Sequence, residues 1–264
     1  MLKTTLRDEE LESAASPPRS SAGASPRLVG CLETAALTAV VIICTGYRFG
    51  TGMQLMLVPY VRRLADSQHL SNDWLIGLVP KHYNVTWLLA ALSRLADLEV
   101  IFFLAHVAAM LLFVFALRRL SQVLFGGGAA FYLSLFLLLR WGTGGLGGNI
   151  LFGDYFNPHN LGVPFCALAL AYVLEGRFLR GALLAAIATN VHLLLGLNTF
   201  LLLAVVSLLA DRPFDRPALL RGSLLYALVA APAILPVLVL AGGSEALGSA
   251  EFLRIHVWMR NPHH

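Results

Sequence analysis

Between Leu98 and Leu117 the only formally charged side chain is Glu99, and comparable apolar runs recur along the rest of the chain. A segment of that kind closes its own backbone hydrogen bonds only as a helix, and about twenty apolar residues let a helix cross roughly 30 Å of hydrocarbon. The runs fall at about 29–47, 98–117, 122–139, 161–176, 179–195, 197–210 and 220–241. They predict an all-α integral membrane bundle of about seven transmembrane helices. The fifth and sixth runs are short and meet tightly at Gly196, so a tilted or re-entrant hairpin is the alternative there. Composition agrees: 58% of residues are hydrophobic and 13% charged, against about a quarter charged in a soluble domain.

The net charge of +4 does not point to nucleic acid, because the arginines stand singly or in pairs at the ends of apolar runs. Cys31, Cys44 and Cys166 lie in or beside apolar segments without CxxC spacing and read as small buried hydrophobes. Residues 1–28 mix charges with a Ser/Pro/Ala stretch and read as a disordered cytoplasmic tail before a polytopic membrane domain at 29–264. A cleaved signal peptide is disfavoured, since no small-x-small site follows the first apolar run.

Orientation decides whether Asn84–Ala96, apolar but too short for a normal span, crosses. If the tail is cytoplasmic and this segment does not cross, Arg118/Arg119, Arg177/Arg180 and Arg212/Arg216/Arg221 all fall inside, as the positive-inside rule prefers. Arg62, Arg63, Lys81 and Arg94 are then exceptions in a large, structured first outer loop at about 48–97. A second outer loop spans about 141–160, and the segment after 242 faces the same way. The polar residues with chemical potential therefore collect outside.

In the first outer loop, Met53, Met56/Leu57, Tyr60/Val61 and Leu64 have helical spacing, with Arg62, Arg63 and Asp66 opposite. Such a helix either lies in the interface, where two arginines suit a lipid phosphate, or packs over the bundle with a solvated face. Asp73, within "SNDWL", is either a dipole-complementing residue beside a Ser71 or Asn72 cap or a catalytic or metal-binding carboxylate. The sequon at Asn84 is too common to weigh. In the second loop, Gly142, Gly144 and Gly147 form a G-x-G-x-x-G. It is not a dinucleotide fingerprint, because it follows a membrane helix and not a strand. Asp154, Asn157, His159 and Asn160 come next, with capping explaining part of the set. Asn190 and His192 end the fifth run, Asn198 follows, and His256, Arg260, His263 and His264 close the chain. His106, mid-run, reads as a satisfied buried histidine. Two carboxylates and several histidines on one face admit acid–base work or a divalent cation, although no spacing is diagnostic.

Three stretches carry a resemblance: "YRFGTGMQLMLVPYVRRLADSQHLSNDW", "GDYFNPHNLGVPFCALALAYVLEGRFLRGALLAAIATNVHLLLGL" and "RNPHH". With them the chain resembles a family of bacterial polytopic membrane proteins that looks like the GT-C class of glycosyltransferases. The resemblance implies a bacterial inner-membrane protein that draws on membrane lipids and a polyprenyl-phosphate-linked sugar. Asp73 (Asp66 less well) matches the acidic position of the first outer loop. Under that reading Asp73, His159 and His192 are catalytic. Arg62, Arg63, Asp154, Asn157, His263 and His264 bind substrate. The chain departs from the class in having Asn72-Asp73 where paired acids are usual, in its fewer helices, and in showing no C-terminal soluble domain. Its stop at "NPHH" reads as a truncation. A transporter or flippase and a non-catalytic membrane subunit are the alternatives.

Overall fold

The computed structural model describes residues 26–73, 83–141, 153–209 and 216–243. The tail, the G-x-G-x-x-G and the terminal His256, Arg260, His263 and His264 lie outside the described residues. Everything regular within them is helix: α1 (Pro26–Thr45), α2 (Gln54–Ala65), α3 (Tyr83–Leu92), α4 (Leu98–Phe125), α5 (Gly128–Trp141), α6 (Pro158–Leu174), α7 (Phe178–Val191), α8 (Leu193–Leu209) and α9 (Arg216–Gly243). Of these, α1, α4 and α9 are long and apolar enough to cross a membrane, and α5–α8 are shorter apolar helices. Their outer faces carry Ile43, Leu209, Leu228 and Val239, each at least three-quarters exposed. An apolar surface of that kind belongs in lipid and not in water.

Two boundaries differ from the sequence expectation. The second helix does not stop at 117 but continues through Arg118 and Arg119 to Phe125. Both arginines find carboxylates without leaving the helix: Arg118 pairs with Glu33 of α1 at 2.8 Å and Arg119 with Glu175 after α6. The stop comes at Gly126, whose φ of 69° closes the helix in a left-handed cap that residues with a Cβ rarely adopt. The second difference is the turn between α7 and α8. It lies at His192, extended at φ −149°, and Gly196 is inside α8. A Cβ on Gly196 would stand 2.1 Å from the Thr189 backbone nitrogen. That glycine serves the close approach of two helices and not the reversal of the chain.

Contacts fix how the helices run. Tyr47, just past α1, packs on Phe103 and His106 near the start of α4, while Arg118 reaches Glu33 at the other end, so α1 and α4 are antiparallel. Phe102 meets Phe156 and Arg119 meets Glu175, so α4 and α6 run the same way. Gly162 faces Val191 and His192, and Gly181 faces Ala169 and Val173, which makes α6 and α7 antiparallel. In α7, Gly181, Ala182, Ala185, Ala186 and Ala188 are all buried, and small residues let membrane helices approach closely.

One end of the bundle thus gathers the C-termini of α1 and α7 and the N-termini of α4, α6 and α8. Both loop helices sit at that same end. Gln54 of α2 donates to the Phe156 carbonyl at 3.1 Å, and Asn84 of α3 donates to Asn190 of α7 at 2.7 Å. Leu57, Val61, Val85 and Leu89 form a core there with Ile101, Phe102, Phe156 and Val191. At 10 residues, α3 is about 15 Å long, half the hydrocarbon thickness. The opposite end holds Arg118, Arg119, Arg177, Arg180, Arg216 and Arg221.

Candidate functional site

The chain leaves α1 through Gly46, and two loops are then stitched together. Arg48 pairs with Asp154 through both its side chain and its backbone N–H. Gln54, completely buried at the start of α2, accepts from the Gly50 N–H at 2.8 Å while donating to Phe156. A buried amide with both ends bonded fixes the relation of its neighbours. Residues 46–54 and 153–157 are therefore held as one unit. An exposed ion pair contributes only about 0–1 kcal/mol, and the Arg48 side chain is 74% exposed. Stability does not account for that pair.

Below it lies Tyr47, whose ring packs against the His106 ring at a centroid distance of 5.2 Å. Burial pushes the Tyr47 phenol up, against a side-chain hydrogen bond with Gln54 that works the other way, so it stays protonated at neutral pH. His106 is fully buried, as the sequence suggests. Neither of its ring nitrogens makes a well-formed hydrogen bond among the described residues, nor does the Tyr47 hydroxyl, but the Tyr155 backbone lies within reach of His106 and the Gln54 side chain within reach of the Tyr47 hydroxyl.

The N-terminus of α6 brings the next group. Asn157 caps the helix, accepting from the His159 N–H at 3.1 Å, with Pro158 in the first turn. Capping is thus its observed role, and Asn157→Ala is expected to lower stability by about 1 kcal/mol, read as a drop in melting temperature. His159 then meets His192 edge-on, ring centroids 5.4 Å apart. His192 Nδ1 accepts from the Leu195 N–H at 3.4 Å, which leaves Nε2 to carry the proton. Asn190 is bonded to Asn84, the Ala186 carbonyl and the Val229 carbonyl, and serves as a brace joining α3, α7 and α9. The bonded Asn84 and fully buried Thr86 make the sequon a packing element.

Depth matters here. With 14 residues, α7 is about 21 Å long. If Arg177 and Arg180 mark one membrane surface, His192 and its neighbour His159 stop short of the other. The imidazole pair is half-buried, and the neighbouring Val191 packs with Leu57 and Val61 of α2 and Val85 and Leu89 of α3.

The remaining predicted residues lie along α2 and the turn after it. The core-facing side of α2 is Gln54, Leu57, Tyr60 and Val61, whereas Met53 and Met56 are exposed. Arg62 is exposed. Arg63 bonds the Ser67 carbonyl and, at 3.3 Å, that of His69, closing the turn that follows the helix. Asp66 accepts from the Gln68 N–H at 3.0 Å. Asp73 is exposed and close enough to Tyr60 that its charge, after burial, helps push that phenol up. These residues form a second polar group, along α2 from the Gln54 stitch. Among the described residues no three of His, Cys, Asp or Glu gather as a metal site would require, and Asp154 already has Arg48 for a partner.

Sequence reasoning did not single out Arg48, Tyr47 or Gln54. Gln54 carried a faint signal, a polar side chain in the register of Leu57 and Val61. Arg48 and Tyr47 carried none, because their partners stand more than fifty residues away.

No family model, no curated protein and no solved structure matches this chain.

Proposed function

We propose that this multi-pass protein transfers a glycosyl group from a lipid-linked sugar phosphate at the end of the bundle that holds both the Arg48–Asp154 and the His159–His192 pair. Their sharing of that end is the observation that carries the reading. A transfer of this kind needs a base for the acceptor hydroxyl and a cation for the leaving phosphate, and Asp154 and Arg48 supply one of each. In the resting chain they neutralise each other. A donor phosphate that takes the Arg48 guanidinium frees the Asp154 carboxylate. The acceptor oxygen then bonds to the anomeric carbon and its proton passes to Asp154. The bond from that carbon to the phosphate oxygen breaks, and the lipid phosphate leaves with the electron pair against Arg48. His159 and His192 stand at the same end as neutral hydrogen-bonding groups. Exposed Arg62 lies where a headgroup would approach. Asp73, the carboxylate of the resemblance, is the competing candidate for the base.

The positive-inside rule favours a cytoplasmic arginine-rich end, and with it a site on the outer face and an N-terminus inside; a bacterial inner membrane is what the resemblance implies. The test is reconstitution into liposomes with a radiolabelled polyprenyl-phosphate sugar and a polyol acceptor. Label moving from the lipid to the water-soluble fraction supports the proposal; intact donor in every condition contradicts it.

One observation favours a second reading, a transporter or flippase. Ion pairs close both ends of the bundle, Arg48–Asp154 at one and Arg118–Glu33 with Arg119–Glu175 at the other. Paired latches of that sort suit alternating access. Solute or lipid flux without glycosyl transfer in the same liposomes would choose it.

A further inference from the structure

We infer that the arginine-lined corner where α7 and α9 begin binds the headgroup phosphate of an anionic phospholipid. One close contact builds the corner. The Phe178 ring lies against Gly222, where an added Cβ would meet it at 2.6 Å, so the first turn of α7 and the second turn of α9 stand side by side. Their neighbours in sequence, Arg177 and Arg221, come with them. Arg180 lies over the Tyr172 ring, its guanidinium carbon 5.8 Å from the centroid, and Arg216 opens α9. Arg119 joins from α4 through Glu175, which it shares with Arg177. Arg177, Arg180, Arg216 and Arg221 are all exposed.

Positive charge is what this corner holds in excess. Among the described residues five arginines stand there against one carboxylate, Glu175, and two of the five already share it. The ion pairs of the described residues take up none of Arg180, Arg216 and Arg221. In sequence the connection at 210–215, outside the described residues, adds Asp211, Arg212 and Asp215, which lowers the excess by one charge and leaves it positive. The positive-inside rule asks for arginine at this end of the bundle but not for crowding at one corner. The α4–α5 turn at the same end, Gly126–Gly127, carries no charge. Crowded cations repel one another, and an anion between them relieves the repulsion. Guanidinium groups match a phosphate with paired N–H donors. The surface next to the arginines selects a lipid phosphate over a free one. Leu183 follows Arg180 by one helical turn and Leu224 follows Arg221 by one; with Leu179 and Leu220 they are exposed. They carry apolar surface from the cations along the sides of the bundle, where acyl chains lie. Arginine clusters at the ends of membrane helices are the pattern that anionic headgroups recognise. The inference does not rest on the transfer reading, whose site is at the opposite end.

The test titrates the full chain in a zwitterionic detergent with phosphatidylglycerol, phosphatidylcholine or the water-soluble glycerophosphoglycerol. Bound molecules are counted by native mass spectrometry, and the melting temperature is read alongside. The unsubstituted chain is expected to retain phosphatidylglycerol saturably and to gain melting temperature with it, and to do neither with the other two. One cation near an anionic headgroup is worth about fivefold in binding. Arg180→Gln and Arg221→Gln should therefore each weaken phosphatidylglycerol about fivefold, and the double variant about 25-fold. Arg94→Gln, at an exposed position of the opposite end, should leave its binding unchanged. Both corner side chains are exposed, so every variant should melt with the unsubstituted chain when lipid is absent. Should the double variant fail to stay monodisperse, the single ones carry the test. Equal retention of phosphatidylcholine would mean that the leucines alone hold lipid. Equal binding of glycerophosphoglycerol would make the ligand a free phosphate, and an equal loss in Arg94→Gln would make overall charge the cause. Each of these overturns the inference, as does phosphatidylglycerol binding that is absent from the unsubstituted chain or unchanged in the corner variants. Absence of glycosyl transfer in liposomes contradicts only the transferase proposal.

Discussion

Gly196→Ala is expected to abolish most of the folded protein. The added methyl would sit 2.1 Å from the Thr189 nitrogen and 2.5 Å from its Cα. These are backbone atoms of the last turn of α7, which cannot rotate aside as a side chain can. Overpacking a core typically costs 1–3 kcal/mol when side chains and backbone give way. Here α7 and α8 would have to separate along the hairpin, so about 3 kcal/mol or more is expected. The loss would spread, because α7 also packs on α6 and α9, and Thr189 shares a 2.9 Å hydrogen bond with Tyr226 of α9. Gly30→Ala is the control: nothing lies within 4 Å of its added methyl, and alanine is the better helix former by about 1 kcal/mol. Size-exclusion profiles in detergent should show Gly196→Ala aggregated and Gly30→Ala monodisperse. A monodisperse Gly196→Ala chain with an unchanged melting temperature would mean that α7 and α8 do not pack as described.

The largest functional effect is expected at Asp154. If its carboxylate takes the acceptor proton, Asp154→Asn should reduce glycosyl transfer by about 10²–10⁴, the range general-base catalysis usually supplies. The folding cost should be small. The Arg48 end of the pair is 74% exposed, and the backbone bond from the Arg48 N–H to the Asp154 carbonyl survives the change. Donor retention is expected to persist or improve, since Arg48 no longer divides itself between a carboxylate and a phosphate. Transfer rate and copurified lipid phosphate, measured on the same preparation, separate these effects. Asp73→Asn is the informative comparison: full loss there, with Asp154→Asn active, would move the base to the α2 side and vindicate the position the resemblance favours.

The hydrophobic runs made most of the bundle legible. The expected 29–47, 179–195 and 220–241 became 26–45, 178–191 and 216–243, because an unbroken apolar stretch in lipid has few alternatives to a helix. The errors came where a residue's usual signal had a tertiary answer. Arg118 and Arg119 looked like a membrane boundary, yet Glu33 and Glu175 let the helix carry them onward. Gly196 looked like a turn, yet it is a packing contact.

The site was legible in part. Topology alone sent Asp154, His159 and His192 to one end, and the imidazoles do touch. The stitch between residues 46–54 and 153–157 was not legible, since a pair such as Arg48 and Asp154 leaves no periodic trace across a hundred residues. Nor was the neighbourhood of His106. Burial follows from its position in an apolar run, but its contact with the Tyr47 ring is seen only once the chain past α1 is folded against α4.

Membrane sidedness of single cysteines is the most direct measurement of the central claim, that α2 and α3 lie at the same end of the bundle as Asp154. In a chain with Cys31, Cys44 and Cys166 replaced by serine or alanine, Gln68→Cys, Asp97→Cys and Arg177→Cys report the turn after α2, the start of α4 and the opposite end. A membrane-impermeant maleimide applied outside intact cells should label 68 and 97 and leave 177 untouched until the membrane is opened. Labelling of 68 and 97 from opposite sides would mean that α3 crosses, and Arg48, Asp154, His159 and His192 would no longer share a face.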